Sequence, residues 1–163
     1  MKKQMKQKLF NLAVGELAAV MVFWINFFVF KKLIIDIGSL LSISFSLFIL
    51  SFILVQGFLF WCILIKRISK PRFAVKFTGK VYHVLKVLDL ILLCIGFAIV
   101  IANHSKSFAT ITSFAIWGFA VIEWINYYKV QLSYSLNPTV LFKYILQGEL
   151  RKSRIAKEID KSL

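Results

Sequence analysis

Four long apolar runs leave this chain few folds to choose from. They extend from about Leu9 to Phe30, Leu40 to Ile65, Val84 to Ala102 and Phe108 to Tyr128. A helix needs about 20 apolar residues to cross a hydrocarbon layer, and each run approaches or exceeds that length. Hydrocarbon offers backbone amides no partner but each other, so a spanning segment is either a helix or a strand of a closed barrel. Barrel strands alternate apolar and polar residues, whereas these runs are continuous. The expected fold class is therefore all-α. It is a polytopic membrane protein, with a four-transmembrane-helix bundle over residues 1–136 and a basic amphipathic tail over 137–163. Composition agrees, because 60% of the 163 residues are apolar and soluble domains are usually nearer half. The N-terminus begins like a signal peptide. Its apolar stretch is too long for one, contains Glu16 and lacks a small-residue cleavage site, so it is expected to remain as the first span.

Charge gives the expected orientation. Basic residues cluster in the leader (Lys2, Lys3, Lys6, Lys8), between spans two and three (Lys66 to Lys86) and after span four (Lys129 to Lys161). Only Lys31, Lys32 and Lys106 lie on the opposite side, leaving 18 of the 21 cations on one side. The positive-inside rule then places both termini in the cytoplasm of a multi-pass protein, here a bacterial cytoplasmic (plasma) membrane protein. In a soluble protein a net charge of +14 would point to nucleic acid. Here no polar domain exists to carry such a surface, so no nucleic acid is expected and the cations point to anionic lipid headgroups. Lys66, Arg67 and Arg72 in the loop, with Arg151, Lys152 and Arg154 in the tail, are the expected headgroup contacts. Pro71 and Gly79 are expected to break the loop into a turn and a short interfacial segment. In the tail, Asn137-Pro138 resembles a helix start, and Leu150, Ile155 and Ile159 are spaced for a short amphipathic helix lying on headgroups.

Ionisable residues inside spans are costly, so each asks for a reason. Glu16, Asp89 and Glu123 all fall at roughly 5 to 12 Å depth on the basic side, counting the rise per residue. His83, Lys86 and Asp89 form one stripe on span three, where Lys86 and Asp89 are spaced to pair. On span four, Glu123, Asn126 and Tyr127 share a face expected to point inward, with Trp124 and Tyr128 on an opposite, lipid-facing side. Gln56 of span two reaches the same level. These residues are expected either to form a buried cluster that sets helix register or to bind a proton, a cation or an amine.

Catalytic signatures are missing: no Walker motif, no G-x-S-x-G, no H-E-x-x-H and no C-x-x-C. Cys62 and Cys94 are isolated thiols, and His83 and Cys94 lie too far apart for a metal site, so neither metal nor cofactor is expected. The function expected from these features is that of a non-enzymatic accessory protein acting through intramembrane helix contacts. It would be a regulatory subunit or an immunity protein, with a membrane-protein partner or further copies of itself. Next comes a small oligomeric carrier using the carboxylates, and third a membrane-embedded lipid enzyme.

Overall fold

The computed structural model describes residues 2–33, 36–103, 108–130 and 151–162. It contains α1 (Lys2–Phe30), a single 3-10 turn (Lys31–Leu33), α2 (Ile37–Ser69), α3 (Val75–Ala102), α4 (Phe108–Tyr128) and α5 (Arg154–Asp160). The first four helices are long and apolar enough to cross a membrane, the architecture of a multi-pass membrane protein. Among the described residues the β pairing is confined to one bridge, Val130 with Lys152.

Local chemistry sets the helix ends. Asp36 is extended and accepts the Ser39 N–H at 2.7 Å, capping α2. That hydrogen bond holds the exposed Asp36 carboxyl below the usual aspartate range. With 33 residues, α2 runs about 50 Å, longer than the hydrocarbon thickness of a bilayer. The chain then reverses through Ala74, whose φ of 52° lies in the left-handed region. The Ala74 carbonyl accepts the Thr78 hydroxyl at 2.6 Å. α3 starts at Val75 and passes straight through Gly79, so this glycine breaks nothing and the interfacial segment expected before Val84 is the first turns of α3. Gly79 faces α5, where a Cβ would overlap the Ser162 side chain and the Glu158 carbonyl oxygen. It stays helical because the neighbouring turns pair its backbone, and its bare surface is what lets α5 approach.

α2 is the axis of the bundle, packed against α1, α3 and α4. Antiparallel neighbours are tied by indole N–H groups: Trp24 donates to Ser51 Oγ at 2.8 Å and Trp117 to the Leu93 carbonyl at 2.9 Å. Ile49, Leu50, Ile53 and Phe60 of α2 are fully buried. Ser42 and Ser46 of α2 and Ser113 of α4 are buried as well, the small residues that bring helix axes close. Gly15 instead has open space around it. α1 is the least enclosed helix, burying only Leu9 and Ala13. The start of α1, the ends of α2 and α4, the start of α3 and α5 all meet at one basic end.

The tail departs from expectation. Ser153 caps α5 by accepting the Ala156 N–H at 3.0 Å and donates its own hydroxyl hydrogen to the Tyr127 carbonyl. Ile155, Ala156 and Ile159 are buried against α3 and α4. The apolar face that the sequence assigns to headgroups therefore packs on the bundle, where α3 and α4 offer it an apolar corner. The Asn137-Pro138 helix start lies outside the described residues.

Gly79→Leu should lift α5 from the bundle. Hydrogen exchange of the Arg154–Asp160 amides is expected to rise towards that of an unstructured chain while α2 stays protected. Unchanged protection of α5 would contradict the close approach.

Candidate functional site

α4 sends successive residues into two separate clefts. On the α3 side, Gln56 of α2 joins three helices. Its side-chain amide donates to Asp89 Oδ1 of α3 at 2.8 Å, and its side-chain oxygen accepts the Tyr128 hydroxyl of α4 at 2.5 Å. Its backbone carbonyl accepts the Tyr82 hydroxyl at 2.7 Å. Asp89 is fully buried, and its second oxygen, Oδ2, has no partner. Trp124 closes this cleft by donating its indole N–H to the Lys86 carbonyl at 3.2 Å.

On the α1 side, Glu16, Trp61, Glu123, Asn126, Tyr127 and Arg154 line a cavity of about 220 Å³ together with Leu12, Phe60, Ser153 and Ile155. Asn126 donates its amide to Glu123 Oε2 at 3.2 Å, as the i, i+3 spacing permits. Glu16 of α1 and Glu123 of α4 thus share one cavity. The Tyr127 hydroxyl and the Trp61 indole N–H lie beside Glu16 but outside hydrogen-bond geometry. Tyr127 reaches this position because Gly57 of α2 has no side chain, and a Cβ there would overlap the Tyr127 hydroxyl and ring. The Arg154 guanidinium sits over the Trp61 ring, 5.8 Å from its centroid.

The residues expected to form one cluster thus fall into two. Gln56 and Asp89 lie in one cleft, and Glu16, Glu123, Asn126 and Tyr127 in the other. His83 is exposed and stands apart from both. Lys86 is half-buried but makes no ion pair with Asp89. The i, i+3 spacing allows that pair, yet Asp89 turns inward to Gln56. Trp124 and Tyr128, expected on a lipid-facing side, are buried, because α3 and α5 cover the face of α4 that α1 leaves open.

The expected headgroup contacts divide in the same way. Lys66, Arg72 and Arg151 are exposed, and Lys152 is exposed but pairs with Asp160 at 2.8 Å. Arg67 is engaged within the chain. Its guanidinium binds Glu158 at 2.7 Å, the Thr78 hydroxyl at 2.9 Å and the Phe73 carbonyl at 3.0 Å. Arg154 is exposed, with its guanidinium over Trp61 at the cavity.

Sequence reasoning missed Tyr82, Tyr128, Trp61 and Arg154 as members of these clefts. Tyr82 and Tyr128 look like interfacial aromatics until α2 brings Gln56 between them. Arg154 is separated from Trp61 by most of the chain, and no local pattern links the two. Among the described residues, no group of three His, Cys, Asp or Glu side chains is arranged to hold a metal. Compared with known proteins, the chain matches no family model, no curated protein and no solved structure.

Gln56→Leu should be the costliest change in the α3 cleft, since it strips the partners of Asp89 and Tyr128 together. A loss of about 1–3 kcal/mol is expected in equilibrium unfolding from mixed micelles. Asp89→Asn keeps an acceptor for Gln56 and should cost less. The reverse order would show that the relay is not what fixes these three helices.

Proposed function

We propose that the chain is a non-enzymatic accessory protein of a cytoplasmic membrane, acting through helix contacts within the bilayer, with both termini cytoplasmic. The exposed face of α1 carries this reading. α1 buries only Leu9 and Ala13, while Met21, Val22, Ile25 and Val29 form an outward apolar strip more than half exposed. The other helices are packed more fully, and the interior beyond the polar clefts is filled by Ile49, Leu50 and Ile53. A carrier needs a route across, and this filling supports a contact role over passage through a single chain. The gathering of the basic stretches at one end supports the orientation.

Orientation is checked by impermeant maleimide labelling of intact cells. Lys32→Cys should label and Lys70→Cys should not, and the opposite pattern would invert the topology. The contact role is checked by photo-crosslinkers placed at Met21 and Ile25 of α1, and at the similarly exposed Val84 and Ile91 of α3. Discrete protein adducts are expected from α1 and only lipid adducts from α3. Lipid adducts alone from both helices would overturn the accessory reading.

A further inference from the structure

Among the described residues, the cavity on the α1 side gathers more negative charge than positive. Glu16 and Glu123 both line it, and among the described residues neither carboxylate forms an ion pair. Two carboxylates against Arg154 leave one formal negative charge if both are ionised. Both carboxylates are half-buried, and a carboxylate partly withdrawn from water without a cation is costly, so the arrangement favours a cationic partner. A second, independent feature points the same way. Tyr127 is only 4% exposed, lines the cavity, and its hydroxyl has no hydrogen-bond partner. The Trp61 indole N–H is likewise buried and unbonded.

We propose that this cavity binds a small organic cation, an alkylammonium or guanidinium group, held between the Glu16 and Glu123 carboxylates and the ring of Trp61. Its N–H groups donate to the two carboxylates and to the Tyr127 hydroxyl oxygen, while Tyr127 donates its own hydrogen to Glu16. The aromatic wall of Trp61 and Phe60 covers the carbon portion and attracts the charge. The chain already shows the second half of this recognition, because its own guanidinium, Arg154, rests on Trp61. Hard divalent cations want six or more oxygen ligands, and the two carboxylates, two hydroxyls and one side-chain amide of this cavity suit them poorly, the Ser153 hydroxyl being already engaged by the Tyr127 carbonyl and the Ala156 N–H. At about 220 Å³ the space admits a few-carbon amine and is too small for a whole lipid. Arg154 is the internal competitor for the Trp61 face. This site goes beyond the accessory reading and does not depend on it, since its test reads binding and not helix contacts.

The test is titration of the purified full chain in detergent with n-butylammonium chloride and guanidinium chloride, against sodium and magnesium chloride at matched ionic strength. Saturable binding of n-butylammonium is expected, weakened about tenfold or more by Glu16→Gln and by Glu123→Gln, since each removes a charge-assisted hydrogen bond. Arg154→Gln should tighten binding several-fold by vacating the Trp61 face, and Trp61→Leu should weaken it. His83→Gln, remote and exposed, should change nothing. Circular dichroism of each variant checks that the helices persist. If the glutamine variants lose helicity, the opposed effects of Arg154→Gln and Trp61→Leu decide the matter. Non-saturable binding, an affinity indifferent to all four cavity variants, or tighter binding of magnesium or sodium with the same dependence would overturn the proposal.

Discussion

The close approach of α2 and α4 at Gly57 and Tyr127 is the contact from which the rest of the arrangement follows. The two helices run in the same direction, and the missing side chain at Gly57 lets the Tyr127 ring lie against α2. Once they are in contact, α1 and α3 can only occupy different sides of the pair. Residues one apart on a helix point about 100° apart, so Glu123 and Tyr127 enter the cleft beside α1 while Trp124 and Tyr128 enter the cleft beside α3. One stretch of α4 thereby furnishes two sites of different character. The α3 cleft is hydrogen-bonded through Gln56, and the α1 cleft keeps unbonded donors around two carboxylates.

The basic end adds a second organising interaction. Arg67 spreads the donors of one planar guanidinium across Glu158 of α5, Thr78 of α3 and the Phe73 carbonyl of the intervening turn. Few other side chains offer several donors in a fixed plane, which is why an arginine stands where the ends of three elements must be joined. Gly79 supplies the space and Arg67 the polar tie. Together they seat α5, and α5 in turn carries Arg154 to the rim of the cavity. The route from the turn after α2 to the proposed cation site therefore runs through packing at the basic end.

The helices were legible in the sequence because hydrocarbon allows a continuous apolar run only one backbone solution. The expected range of span four coincides with α4, and spans one to three lie inside longer helices, extended where basic or glycine-containing turns continue them. The inward position of Glu123, Asn126 and Tyr127 was legible from their shared face. The partition of the acids was not. Equal depth suggested that Glu16, Asp89 and Glu123 meet, but depth fixes only one coordinate, and rotation about the bundle axis places Asp89 apart. Local spacing likewise allowed a Lys86–Asp89 pair that the tertiary hydrogen bond to Gln56 pre-empts.

By itself, then, the sequence determined that this chain is a set of long apolar helices with its cations gathered towards one end. Those properties follow from length, composition and the backbone's need for partners, all of which are local. Only the tertiary structure decided which acids share a cavity, that Trp124 and Tyr128 are buried, and that the tail helix docks on protein in place of lipid. These depend on the rotation and neighbour order of helices, which residues distant in sequence set through Gly57, Gly79 and Arg67.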